Sequence, residues 1–265
     1  MTHLGTDETR TFALRDRPGE RFTLAWSAVS DTGYRRAVNE DSVIVVPPVF
    51  AVADGMGGHA AGDKASDAVI VRLAELKDRD DVDADDLGGL LVSAAEDIDA
   101  LAVDIPIGAG TTVTGAFLDL SGFEPAFTIF NVGDSRVYRF ARNELIQVTT
   151  DHSVVQELVA AGRLRAEDAE HHPESNVITR ALGFREQPRP DYFTVPAHTG
   201  MRLLMCSDGL TKEVGHERIR LHLAAGMPAT ETAAALVDAA LATGGRDNVT
   251  VVVVDVVEAP SGGRA

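Results

Sequence analysis

The chain has 265 residues, 45% of them apolar, and sets 41 Asp and Glu against 24 Lys and Arg for a net charge of −17. That excess excludes nonspecific nucleic-acid binding, which needs a basic face, and adsorption to an anionic membrane; it suits a holder of divalent cations, or simply a soluble acidic protein. The single cysteine, Cys206, excludes an internal disulfide and any multi-cysteine zinc site.

Residues 1–20 are polar and aperiodic, and are expected to form a flexible arm ahead of a domain spanning 21–258, with 259–265 a disordered tail. The N-terminal residues show no apolar run, and no stretch approaches the roughly 18 apolar residues of a membrane span, so the expectation is a cytoplasmic protein without leader or membrane segment. Phe22–Val29 alternates in twos, as a strand does, and Ser42–Val46 and Val49–Ala53 are β-branched runs split by a Pro47-Pro48 turn. From Ala61 onward, Ala65, Ala68, Val69, Leu73 and Leu76 fall on one helical face, and a second helix gathers Leu87, Leu90, Leu91, Ala94, Ile98 and Leu101. The acidic run Asp78–Asp86 between them is no EF-hand loop: Asp83 and Gly89 stand where that loop needs Gly and Glu. It reads as a solvated connection with acidic helix-start residues.

Thr112–Leu120, Ala126–Val132, Arg136–Phe140 and Glu144–Thr149 are short alternating strands between Gly, Pro and Asn turns, spaced as in an antiparallel meander. Residues 152–175 turn polar and helical, Met201–Cys206 is a buried strand, and helices follow at 216–225 and 229–243. Asn248–Val257 is apolar throughout, which predicts a central strand covered on both faces. Strands in antiparallel runs and helices in pairs point to two stacked sheets covered by helices.

The informative residues are acids placed where an apolar strand stops and a Gly-containing turn begins. They occur in Arg36-Ala-Val-Asn-Glu40-Asp41, Ala53-Asp54-Gly55-Met56-Gly57-Gly58-His59, Gly133-Asp134-Ser135-Arg136, Ser207-Asp208-Gly209-Leu210 and Gly244-Gly245-Arg246-Asp247-Asn248. Singly, each is an ordinary turn or cap acid. Converging at one end of the sheets, they would form an oxygen-only cage of the kind Mg²⁺ and Mn²⁺ prefer, and such ions make water acidic enough to attack phosphorus.

In this order R-x-x-N-E-D, V-A-D-G-M-G-G-H, G-x-G-T-T, V-G-D-S-R, D-H-S, T-R-A-L-G, S-D-G-L and D-N-V-T resemble the bacterial metal-dependent Ser/Thr protein phosphatases of the phosphatase 2C type, over about residues 21–257. The resemblance implies an α+β fold: a four-layer αββα sandwich, two antiparallel sheets flanked by helix pairs, with a flap at about 153–178 near the active site. It implies two to three Mn²⁺ or Mg²⁺ ions. Asp54 would bridge two of them, the Gly55 carbonyl would bind one, Asp208 and Asp247 would complete the first, and Glu40 would serve the second. Asp41 would orient metal-bound water, Asp134 would help hold a third ion, and Arg36 would grip the substrate phosphate. The implied reaction is hydrolysis of phosphoserine and phosphothreonine in proteins by a metal-bridging water, without a phosphoenzyme. The implied partners are phosphorylated proteins, with Ser/Thr kinases and their substrates; no nucleic acid and no membrane enter, and a monomer is expected.

The general acid stays open between His59, His152 and water. Met56 occupies the position of a His found in eukaryotic members, as it does in bacterial ones, and His152 at the end of the meander reads as structural by preference. A cysteine-dependent phosphatase is excluded because Lys212, not Arg, stands six residues after Cys206. The alternative is a catalytically silent phosphatase-like regulatory or binding module, although none of the ligating acids is missing.

Overall fold

The computed structural model describes all residues except 15, 16, 18, 58–60, 80, 106, 107, 123 and 261–265, and of 170 and 171 only the backbone. In chain order the strands and helices are β1 (His3–Gly5), β2 (Glu8–Ala13), β3 (Arg21–Asp31), β4 (Asp41–Val46), β5 (Val49–Met56), α1 (Gly62–Leu73) and α2 (Ala84–Leu101). Then come β6 (Gly110–Thr111), β7 (Val113–Asp119), β8 (Ala126–Val132), β9 (Arg136–Ala141), β10 (Glu144–Gln147) and α3 (Val154–Ala160). The chain finishes with β11 (Leu182–Gly183), β12 (Asp191–Pro196), β13 (Arg202–Cys206), α4 (Asp208–Thr211), α5 (His216–Ala224), α6 (Ala229–Thr243) and β14 (Val249–Glu258).

These build two sheets, one ordered β1-β4-β5-β7-β8-β12 with β6 and β11 at its side, the other β10-β9-β13-β14-β3-β2. Their inner faces share one apolar layer, in which Trp26 of β3 meets Phe50 of β5 edge-on at 5.4 Å. The outer face of the first sheet packs on α1 and α2 through Ile44, Val69, Leu73, Leu87 and Leu91. The outer face of the second packs on α5 and α6 through Leu204, Val251, Ile219, Leu236 and Ala240. The architecture is therefore the four-layer αββα sandwich, and β14 is the covered central strand that its apolar sequence predicts. The acidic connection caps α2: Asp83 and Asp86 form reciprocal side-chain bonds at its N-terminus, and Arg79 pairs with Asp86 at 2.9 Å.

Four expectations need correction. Residues 1–20 are not simply a loose arm, because β1 pairs parallel with β4 and β2 pairs antiparallel with β3. The Trp26 indole donates to the Thr6 carbonyl and Phe12 leans on Phe22, so the segment is tied down by partners its own polar sequence does not reveal. The parallel β1–β4 pairing also makes the first sheet mixed rather than purely antiparallel. The expected meander is split: β7 and β8 belong to the first sheet, β9 and β10 to the second. The chain changes sheets at Gly133-Asp134-Ser135, where Gly133 takes φ +111° and a Cβ would stand 2.5 Å from Thr112 Cγ2. β12, an edge strand on β8, was not anticipated, since it is half-exposed and carries only weak alternation.

The stretch expected to form the flap, about 153–178, carries only short pieces of regular structure. A bridge between Ser153 and Ile178 closes its neck, α3 fills its first part, and a 3₁₀ turn at Ala166–His171 fills its second.

Candidate metal centre

Pairing of β4 with β5 sets Asp41 directly opposite Asp54. Asp208 starts α4 where β13 ends, Asp247 lies two residues before β14, and Asp134 occupies the sheet-crossing turn. All these strand ends meet at one edge of the sandwich. Asp54 is raised well above the usual carboxylate range, first by burial and then by Asp41, Asp208, Asp134 and Asp247 in turn. Burial likewise pushes the Asp41 carboxyl up to about 7, with Asp208 and Asp247 adding to the rise. Burial and then Asp208 push Asp134 up to about 7 as well.

Asp41 is fully buried. Its Oδ2 accepts hydrogen bonds from Ser207 Oγ at 2.9 Å and Thr250 Oγ1 at 2.7 Å, while its Oδ1 has no partner. A buried carboxylate oxygen without a donor, beside Asp208 and Asp247 whose charges raise the proton affinity of Asp41, is a charge imbalance that hard cations correct. The donor set, all oxygen, fits Mg²⁺ or Mn²⁺.

The cradle around Glu40 is built from close backbone approach. A Cβ on Gly55 would fall 2.7 Å from the Glu40 carbonyl oxygen, and one on Gly62, the first residue of α1, 2.7 Å from Glu40 Oε1. Only glycine lets β5, α1 and the Glu40 loop meet so closely. The Gly55 N–H donates to the Glu40 carbonyl at 3.2 Å. The Asp54 carbonyl accepts from the Thr112 N–H at 2.9 Å and from Thr111 Oγ1 at 2.9 Å. These bonds give the two threonines of GAGTT the structural role expected of them.

Protein cations partly cover the acids. The Arg36 guanidinium pairs with both Asp247 oxygens, Nε to Oδ1 at 2.8 Å and Nη2 to Oδ2 at 2.8 Å, and reaches Glu40 at 4.0 Å. The Lys212 ammonium rests on Asp208. No three acidic, histidine or cysteine side chains among the described residues stand close enough to ligate one ion.

His59 lies outside the described residues. His152 is buried at 5% exposure with both ring nitrogens engaged. The Gly133 N–H donates to its Nδ1 at 3.1 Å, which leaves Nε2 to carry the proton and donate to Asp191 at 3.1 Å. Its structural reading is thereby given content: it anchors the turn that carries Asp134. Cys206 is a buried strand thiol pushed up to about 12 by burial.

Four supporting residues escaped sequence reasoning. Asn248 clamps the Arg36–Glu40 loop, accepting from the Glu40 N–H at 2.8 Å and donating to the Thr32 and Val38 carbonyls at 2.9 and 3.0 Å. Ser207 and Thr250 hold Asp41, and Lys212 meets Asp208 one helical turn on. Each sits inside or beside an acid-bearing motif, and that adjacency was the available signal.

The protein phosphatase 2C pattern matches residues 36–243. The chain belongs to the protein phosphatase 2C family. It is 41% identical over 240 residues to the serine/threonine protein phosphatase PstP of Mycobacterium tuberculosis, covering 89% of this chain and 45% of the relative. It is 36% identical to the serine/threonine phosphatase stp of Listeria welshimeri, covering 85% of this chain and 93% of the relative. This phosphatase 2C chain thus spans about half the length of the mycobacterial relative and nearly all of the other. The crystal structure of the PstP catalytic domain in complex with two manganese ions superposes with a TM-score of 0.79 at 39% identity, over 89% of this chain and 99% of that one. Among the described residues, no helix is long and apolar enough to cross a membrane.

Proposed function

We propose that this chain is a metal-dependent protein phosphatase that hydrolyses phosphoserine and phosphothreonine in proteins. The observation that carries the reading is the convergence of Asp41, Asp54, Asp134, Asp208 and Asp247 on one sheet edge, with Asp41 Oδ1 buried and unpartnered. Asp54, the Gly55 carbonyl, Asp208 and Asp247 would hold a first divalent ion, with Asp54 shared and Glu40 serving a second; Asp134 is suited to a third. Bound Mn²⁺ or Mg²⁺ would acidify a water and neutralise charge on the phosphoryl oxygens.

The chain's own groups then have distinct tasks. Arg36, 48% exposed at the rim, has a planar fork suited to two phosphate oxygens, so it orients the phosphoryl group. Asp41, held by Ser207 and Thr250 through one oxygen, keeps its other oxygen buried and unpartnered, an acceptor suited to a metal-bound water. Asn248, Ser207 and Thr250 keep the loop and Asp41 in register. A general acid for the leaving alkoxide would come from His59 or from water, since His152 is committed to Gly133 and Asp191. Phosphorylated proteins are the substrates and Ser/Thr kinases the opposing enzymes; a cytoplasmic monomer remains part of the same proposal.

The test is phosphate release from a phosphothreonine peptide by chelator-treated protein, with Mn²⁺ or Mg²⁺ added back. Release only with metal, lost in Asp54→Ala, is expected. Protein that binds Mn²⁺ yet turns over neither the peptide nor p-nitrophenyl phosphate would instead be a silent binding module.

A further inference from the structure

Among the described residues, Arg36 and Lys212 both pair with acids of the cluster, and they sit differently. Arg36 comes from a loop and stays at the rim. Lys212 follows Asp208 by one helical turn: its N–H donates to the Asp208 carbonyl at 2.9 Å, and its ammonium returns to the Asp208 carboxylate. The helical turn therefore fixes this contact locally. Asp134 and Asp247 also act on the Lys212 charge, and Lys212 in turn eases the ionisation of Asp134. The side chain is 38% exposed, so a path to solvent lies open beside the cluster.

We propose that Lys212 is a built-in counter-ion of the Asp208–Asp134 end of the cluster, and that it sets how tightly this end takes up a divalent cation. This rests on the metal-site reading above. An ammonium in contact with a carboxylate competes with an arriving cation in two ways. It occupies the oxygen that must turn to the ion, and its charge repels the ion at short range. Because the side chain is long and partly solvated, it can swing away when the cation concentration is high. Lys212 is thus a positioning residue: it touches a ligand rather than the reacting atoms, and it grades metal uptake.

The experiment is calorimetric titration of Mn²⁺ into the chelator-treated 265-residue chain at fixed pH and ionic strength, for wild type, Lys212→Met, Lys212→Gln and Lys212→Arg. Removing the charge in Lys212→Met or Lys212→Gln is expected to tighten the weakest resolved Mn²⁺ step about tenfold. Lys212→Arg, which keeps a cation there, is expected to remain within about twofold of wild type. A purely structural lysine would instead give weaker binding and a lower melting temperature in all three. Unchanged or weaker Mn²⁺ affinity in both neutral variants, with wild type binding Mn²⁺ normally, overturns the role of Lys212 and leaves the metal site standing. Absence of Mn²⁺ binding in every variant overturns both.

Discussion

Burial of Asp41 makes a prediction whose sign runs against intuition. In chelator-treated protein, Asp41→Asn should stabilise the fold at pH 8. The folded carboxyl is pushed up to about 7 from an ordinary 3.8, chiefly by burial. That rise corresponds to about 4 kcal/mol. A carboxyl with a raised folded pKa takes up a proton on folding, so its contribution falls as pH rises from about 4 to about 7 and is fully lost above that. Asparagine escapes this loss. Its amide oxygen can still accept from Ser207 and Thr250, but its NH₂ replaces an oxygen that has no partner, at a cost of about 1–3 kcal/mol. The net gain at pH 8 is therefore about 1–3 kcal/mol, or about 2–10 °C in melting temperature for a chain of this size. At pH 5 the wild-type carboxyl is largely protonated, and the advantage should vanish or reverse. Thermal melts by circular dichroism at pH 5 and pH 8 with EDTA measure both. Saturating Mn²⁺ should raise the wild type more than the variant, because a ligand that binds only the folded state adds stability in proportion to its affinity. An Asp41→Asn protein melting below wild type at pH 8 in EDTA would refute the account of Asp41 as an uncompensated buried charge.

Further tests address the loop and the cradle. Arg36→Ala should lower kcat/KM for a phosphothreonine peptide about ten- to a hundredfold, the worth of a charge-assisted phosphate contact, while leaving the fold intact; steady-state kinetics with a melt as control decide it. Gly62→Ala, which in an ordinary helix would add stability, should here cost about 1–3 kcal/mol and weaken Mn²⁺ binding, because the new Cβ meets Glu40 Oε1 and the Gly55 carbonyl carbon; a higher melting temperature would contradict the geometry. Asn248→Ala should cost a similar amount in urea unfolding, since it strips partners from the Glu40 N–H and from the Thr32 and Val38 carbonyls.

Much of the architecture was legible because it is periodic. The α6 boundaries, the covered strand β14 and the αββα layering follow from apolar residues recurring at helix or strand spacing. The split of the supposed meander was not legible, because β8 and β9 carry the same alternation whichever sheet they join; the deciding feature is the backbone at Gly133 packed against Thr112. β1 and β2 were hidden for a related reason: edge strands are held by backbone bonds and by single contacts such as Trp26 to Thr6, which leave little trace in a polar sequence.

The charge of −17 shows the same division. By itself the sequence separates two acid populations: a run in residues 78–104 with ten acids and one Arg, and single acids punctuating strand ends. It also fixes the oxygen-only chemistry of the second group. Only the tertiary structure decides that Asp41 faces Asp54 across a β pair, and that Arg36 and Lys212 already lean on Asp247 and Asp208. The reason is range. Propensity and periodicity are written in neighbouring residues, whereas the proton affinity of a carboxyl depends on burial and on charges brought close from anywhere in the chain.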